Sequence, residues 1–242
     1  MSDPLLRLDA VSRRYGARDV LHDVTLHAAA GEVLGLIGPN GGGKSTTLLM
    51  LAGLVRPTTG TVTVDGLPAH ALATSRAGAV GLITADHGLY PLLTGRENLA
   101  FFGGLFGLTP SQVADRAGPL VQELELEPHL DNRAGSYSSG MKQKLSLVRA
   151  RLLEPKALLL DEPTANLDPL SADTIHRVVR READRGLAVV LVTHDLTSAR
   201  AVCDRVAVID GTVRHVHTLE GPRHAPAPSP LLELYRTHTE RR

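Results

Sequence analysis

The eight residues Gly38-Pro39-Asn40-Gly41-Gly42-Gly43-Lys44-Ser45 set glycines, one cation and one hydroxyl in the order GxxxxGK[ST]. Glycines let a backbone curl until successive N–H groups point inward at an anion. A lysine at this place reaches the β and γ phosphates of a nucleotide, and the serine hydroxyl is a ligand for Mg²⁺. Thr46 follows in the same first helical turn, whose dipole end adds to the anion site. A second signal is Leu158-Leu159-Leu160-Asp161-Glu162-Pro163, an apolar run that ends in two carboxylates. In parallel α/β sheets ligands sit at such strand ends. Asp161 suits the Mg²⁺ shell, and Glu162 is placed to polarise an attacking water. Alone, that dipeptide reads as a solvated turn; beside a phosphate loop it reads as hydrolytic.

These groups need elements that hold them. Leu6, Leu8 and Ala10 alternate with charged residues, and Asp23–Leu26 repeats the half-buried pattern. Val33–Ile37 is a short apolar run of the kind buried on both sheet faces, and it leads into the glycine cluster and a helix over Ser45–Ala52. Strands are expected at Thr61–Asp65, Val80–Ile83, Ala157–Leu160, Leu187–Thr193 and Arg205–Asp210, the last turning back at Asp210–Gly211 into Thr212–His217. Helices are expected at Ser171–Arg185 and Leu196–Val202. Between about Leu92 and Leu153 the pattern is helical: Leu99, Phe102, Leu105 and Phe106 fall on one face, as do Met141, Leu145, Val148 and Leu152. Buried strands alternating with helices predict a parallel sheet, here with a helical subdomain inserted at about 92–153.

The chain has 242 residues with 26 Lys+Arg and 26 Asp+Glu, so its formal net charge is zero. That balance argues against a dedicated duplex-DNA binder, and no nucleic acid is expected as a partner. Its 43% hydrophobic content suffices for a core, and no run reaches the roughly 18 apolar residues of a membrane span. One cysteine, Cys203, excludes an intrachain disulfide. The N-terminus has no secretory h-region, which points to a cytosolic chain. From Gly221 the composition shifts: four prolines in the nine residues from Pro222 to Pro230 indicate an extended linker before a short tail, with a short helix over Pro230–Arg236. The organisation expected is one domain over 1–220 and a linker and tail over 221–242.

From about Leu5 to Val216 the motifs, in their order, resemble the nucleotide-binding domain of ATP-binding cassette (ABC) proteins. Ser136-Tyr137-Ser138-Ser139-Gly140-Met141-Lys142-Gln143-Lys144 is similar to the family's signature motif, and Ala165-Asn166-Leu167-Asp168 to its D-loop. Val192-Thr193-His194-Asp195 is similar to the switch region, and Tyr15 matches the aromatic that stacks on adenine. The resemblance implies a P-loop NTPase fold: a RecA-like, mostly parallel sheet, N-terminal antiparallel strands and an inserted α-helical subdomain. It implies ATP with Mg²⁺, and Glu162 and His194 as catalytic residues. Tyr15, Gly38, Pro39, Asn40, Gly41, Gly42, Gly43, Lys44, Ser45 and Thr46 would bind ATP; Ser45 and Asp161 would bind the metal. Ser138, Ser139, Gly140 and Met141 would act on the nucleotide of a facing subunit, with Asp168 crossing the interface.

The sequence departs from the family at Ala85, where a Gln that touches Mg²⁺ is usual, and at Ser139 and Met141, where Gly and Gln are usual. Asp86, next to Ala85, is expected to supply part of the missing oxygen to the metal; the other reading leaves this loop a hinge only. Gly88-Leu89-Tyr90-Pro91 and Thr94-Gly95-Arg96-Glu97-Asn98-Leu99 are similar to ATPases of export-type (ABC-2-like) transporters, including sodium-efflux and drug-resistance groups. The leading expectation is an ATP-hydrolysing subunit, peripheral on the cytoplasmic face of the membrane, working for separate transmembrane permease subunits as a homodimer or a heterodimer. Phe101, Phe102 and Phe106, beside Tyr90, are candidates for the permease contact. The competing classes are a soluble ABC ATPase acting on DNA or ribosomes and a nucleotide-gated regulatory module. The coiled coils, zinc modules or second cassette of the former are not present in these 242 residues.

Overall fold

A computed structural model describes residues 4–76 and 78–221, so the proline-rich linker, the Pro230–Arg236 helix and the tail expected from the sequence lie outside the described residues. Two sheets share the core. The first is antiparallel, in the order β2-β1-β4-β5, with β1 Leu6–Tyr15, β2 Arg18–Ala28, β4 Thr59–Val64 and β5 Leu67–Pro68. The second has the order β10-β9-β3-β8-β7-β6: β3 Val33–Ile37, β6 Val80–Ile83, β7 Ala157–Asp161, β8 Ala188–Val192, β9 Arg205–Asp210 and β10 Thr212–Thr218. Neighbours run parallel except β10, which returns antiparallel on β9 through the Asp210–Gly211 turn. The parallel sheet is the one that the alternating elements predict, and the antiparallel N-terminal strands are those that the resemblance implies.

Burial follows position in the sheet. All five residues of β3 and all five of β8 are buried, because both strands have neighbours on each side and layers on each face. β6 lies at the sheet edge and buries only alternate residues, Gly81 and Ile83. On one side of the parallel sheet, Leu34, Leu36, Leu159 and Val190 pack with the antiparallel sheet and with α1 Lys44–Leu51. On the other, Leu158, Leu160, Val189 and Leu191 pack with α6 Pro169–Asp184, α7 Leu196–Val202 and the helical block. A further short helix, α2 Ala69–Ser75, precedes β6.

The block between β6 and β7 contains α3 Gly95–Leu105, α4 Pro110–Glu123 and α5 Ser139–Arg151. Thr94 and Thr109 start α3 and α4 with complete capping boxes, each closed by a side chain three residues on (Glu97 and Gln112). In α5 the expected face holds, with Leu145, Val148 and Leu152 buried. In α3 it does not: Leu99 is buried, but Leu105 is 62% and Phe106 48% exposed. The helix ends at Leu105 and the chain turns at Gly107, so its last apolar residues overhang the surface. Cys203 is buried just past α7, as a small core residue. Among the described residues no helix is long and apolar enough to cross a membrane.

Candidate active site

The phosphate loop leaves β3 at the centre of the parallel sheet and is wedged between two other strands. Gly38 has φ +149°, and a Cβ there would sit 2.0 Å from the Ile209 carbonyl oxygen on β9. Gly43 has φ +100°, and its Cβ would meet Leu21 Cδ2 on β2 at 2.2 Å. Neither place admits a side chain, so the tight curl of the loop is written into these glycines. Lys44 then opens α1 and is buried, its Nζ donating to the Gly38 and Pro39 carbonyls at 2.8 and 2.9 Å. Burial pulls this ammonium below the usual lysine range, against the opposing charges of Glu162 and Asp161.

Across the loop stand the carboxylates at the end of β7. Glu162 has φ +52°, a left-handed conformation that costs a non-glycine residue on the order of 1 kcal/mol, and its N–H donates to the Val192 carbonyl at 3.0 Å. This turn aims the side chain at the end of β8, where His194 Nδ1 lies 2.9 Å from Glu162 Oε1. Asp195, next in the chain, caps α7, accepting from the Thr197 and Ser198 N–H groups, and its own N–H donates to Thr193 Oγ1. Two residues far apart in sequence thus form one pair at adjacent parallel strand ends. Asn40, Gly41, Gly43, Lys44, Ser45, Thr46, Ala85, Asp161 and Glu162 line one cleft of about 420 Å³, together with Arg18 and Val20.

Arg18 and Val20 did not come from sequence reasoning. They follow the Gly16–Ala17 turn on alternate positions of β2, and that period of two places both on one face. Tyr15 is Arg18's partner across the hairpin and is 43% exposed. The Arg13 guanidinium lies 4.2 Å from the centre of the Tyr15 ring and donates to the Arg56 carbonyl at 2.9 Å. This cation–π contact fixes the aromatic beside the cleft.

The signature-like segment lies elsewhere. Ser138 caps α5, its Oγ accepting from the Met141 N–H at 3.2 Å. A Cβ on Gly140 would meet Ser171 Oγ at 2.9 Å, and Ser139 Oγ donates to the Asn166 carbonyl at 3.4 Å. Asp168 caps α6, accepting from the Leu170 and Ser171 N–H groups at 3.0 Å each. Hydrogen bonds from Ser171 hold its carboxyl below the ordinary aspartate range. Ser138, Ser139, Gly140, Met141 and Asp168 therefore pack together as a second cluster, and none of them lines the cleft around Lys44.

The Asp86 carboxylate accepts a hydrogen bond from the Thr84 hydroxyl, and it lines a neighbouring groove with Arg149 and Phe102, whereas Ala85 lines the cleft. Burial lowers the Arg149 guanidinium from its usual value, and the Asp86 charge opposes that shift. The next residue ties the loop to α5: His87 Nδ1 and Gln143 Oε1 are 2.9 Å apart, and Ser146 Oγ and Arg149 Nη2 donate to the His87 carbonyl. These bonds tie the loop to the helical block. Asp86→Ala is accordingly expected to hydrolyse ATP at close to the wild-type rate with unchanged Mg²⁺ dependence. A loss beyond about tenfold, the scale of a weakened metal shell, would return Asp86 to the metal.

The chain matches the ABC transporter family over residues 21–165. It is similar to Nod factor export ATP-binding protein I of Paraburkholderia xenovorans (strain LB400), 38% identical over 87% of this chain and 69% of that protein. It is also similar to linearmycin resistance ATP-binding protein LnrL of Bacillus subtilis (strain 168), 32% identical over 85% of this chain and 66% of that protein. The chain thus spans about two thirds of the length of these relatives. Among solved structures, an ATP-binding subunit of an ABC transporter superposes with TM-score 0.84 at 34% identity, covering 96% of this chain and 98% of that one. A dimeric ATP-binding cassette in a post-hydrolysis state bound to ADP and Pi superposes with TM-score 0.78 at 28% identity, over 90% of this chain and all (100%) of that one.

Proposed function

The chain belongs to the ABC transporter family as an ATP-binding, ATP-hydrolysing cassette, and from that premise we propose that it drives export through a separate transmembrane partner. The observation that carries the hydrolytic half of this reading is the Glu162–His194 pair, held 2.9 Å apart, with Glu162 lining the cleft around Lys44. The glycine-rich loop and the Lys44 ammonium hold the polyphosphate. Glu162 takes the proton of the water that attacks the γ-phosphoryl group, and His194 keeps the carboxylate in line. The donors in the cleft also fit Mg²⁺, a hard cation that binds one or two carboxylates together with phosphate and water oxygens. Ser45 and Asp161 would hold it, and it would neutralise charge on the phosphates.

Two cassettes complete each other. The cluster of Ser138, Gly140 and Asp168 lies off its own cleft, and Ser138 and Gly140 stand at the N-terminal end of α5, an anion-binding place. Facing a second cassette, either another copy of this chain or a related one, that end closes on the partner's γ-phosphate. The dimeric relative bound to ADP and Pi supports this arrangement.

The transmembrane partner docks beside the hinge loop, at the cytoplasmic face of the membrane. A groove of about 430 Å³ between β6, α3 and α5 is lined by Leu54, Asp86, Phe102, Phe106 and Arg149. Next to it Tyr90, Phe101 and Phe102 form a ring cluster with centroids 4.9 to 5.7 Å apart, and Tyr90 and Phe101 are exposed. Relatives named for Nod factor export and for linearmycin resistance share this cassette, so cargo choice belongs to the membrane partner. Phe106→Asp is expected to keep ATP hydrolysis by the isolated chain and to lose copurification with a membrane protein that wild type retains. Full retention of that protein by the variant, or recovery of ribosomes or DNA in its place, would overturn the docking reading.

A further inference from the structure

The mouth of the cleft holds a cation that the hydrolytic chemistry described above does not use. Arg18 opens β2 directly opposite Tyr15 in the hairpin and lines the cleft with Asn40, Gly41 and Lys44. Its Nη2 lies 3.1 Å from the place a Cβ on Gly41 would occupy, so the guanidinium overhangs the phosphate loop itself. The neighbouring arginines are committed elsewhere. Arg14 binds Asp19 through two hydrogen bonds of 2.5 and 3.0 Å, and Arg13 is spent on the Tyr15 ring and the Arg56 carbonyl. Asp19, adjacent to Arg18 in sequence, is thereby claimed by Arg14. Among the described residues the Arg18 guanidinium has no hydrogen-bond or ion-pair partner. An uncompensated cation directly over a cradle of N–H groups adds to a site already biased toward an anion.

We propose that Arg18 is a nucleotide-binding residue that grips the α-phosphate end of ATP and ADP, between the base shelf at Tyr15 and the β and γ positions reached by Lys44. The inference rests on the nucleotide reading of the cleft and adds to it a residue outside the glycine-rich loop. The order of groups argues for the α position. Tyr15 and Arg18 share one end of the hairpin, whereas Asp161 and Glu162 stand across the loop beyond Lys44. A nucleotide whose base rests on Tyr15 passes Arg18 before its outer phosphates meet Lys44. A planar guanidinium presents two parallel donors to one phosphate, which an ammonium does not. Because the α-phosphate is common to both nucleotides, Arg18 raises affinity for product and substrate alike and leaves their ratio unchanged.

Calorimetric titration of ADP and of ATP in EDTA, which prevents turnover, tests this on wild type, Arg18→Ala, Arg18→Lys and Lys44→Ala, with thermal unfolding to confirm folded variants. Arg18→Ala is expected to weaken ADP and ATP by the same factor, about three- to tenfold as for a solvent-exposed charge-assisted contact. Arg18→Lys recovers part of the loss, and the gap between wild type and Arg18→Ala narrows as salt is raised. Unchanged affinities in Arg18→Ala beside lost binding in Lys44→Ala would overturn the role of Arg18 while the nucleotide reading stands. A loss confined to ATP would move Arg18 to the γ-phosphate and overturn the α assignment. If wild type bound neither nucleotide, the reading of the cleft itself would fall, and this inference with it.

Discussion

Replacing Glu162 by Gln is expected to leave ATP bound and to lower turnover by at least about a hundredfold, the scale of a lost general base. The substitution is nearly isosteric, and the amide oxygen still accepts from His194 Nδ1, so the 2.9 Å pair and the turn at φ +52° survive. What is lost is the capacity to take a proton from water. With ATP persisting, two cassettes stay closed on it, and size-exclusion chromatography with ATP should show a dimer that wild type does not accumulate. A Glu162→Gln chain that hydrolyses ATP at the wild-type rate would assign the base elsewhere and reduce the Glu162–His194 contact to a structural one.

The parts of this site that were legible in the sequence are those fixed by the backbone. Gly38 and Gly43 sit where a Cβ would collide with Ile209 or Leu21, so their spacing alone announces a curled loop. Asp161, Glu162 and His194 were legible because parallel strands bring their C-terminal ends to one edge, and each follows an apolar run. What escaped was decided by contacts between side chains distant in sequence. Asp86 lines the neighbouring groove because the Thr84 hydroxyl holds it there and Arg149, reaching in from α5, lies on that side. Arg18 escaped because the β1–β2 pairing carries three register shifts, so sequence counting does not show which residue faces the loop. The overhang of Leu105 and Phe106 escaped because apolar residues at helical spacing mark a face without saying what covers it.

Lys44→Ala is expected to abolish nucleotide binding at ordinary concentrations without unfolding the chain. Lys44 is only 8% exposed, and its ammonium is the sole cation in the floor of the cleft among the described residues that line it, Arg18 standing at the mouth. Truncating one partner of a buried, hydrogen-bonded charge pair costs about 2–5 kcal/mol, or roughly thirtyfold to several thousandfold in affinity. Alanine is a better helix former than lysine, so α1 itself is not weakened, and the glycine-determined curl of the loop does not depend on the side chain. The melting temperature should therefore stay near that of wild type while calorimetric binding of ATP disappears. The pH dependence separates this from a loss of shape. Burial holds the Lys44 ammonium below the usual lysine range, so its charge is lost at a lower pH than that of an exposed lysine. Wild-type affinity for ATP should then fall on the alkaline side before an exposed lysine would titrate, and bound phosphates, favouring the charged form, should push the fall to higher pH in the complex. Unimpaired ATP binding by Lys44→Ala would mean that the backbone N–H groups and Arg18 alone carry the triphosphate, and the buried lysine would be left as a prop for the Gly38 and Pro39 carbonyls.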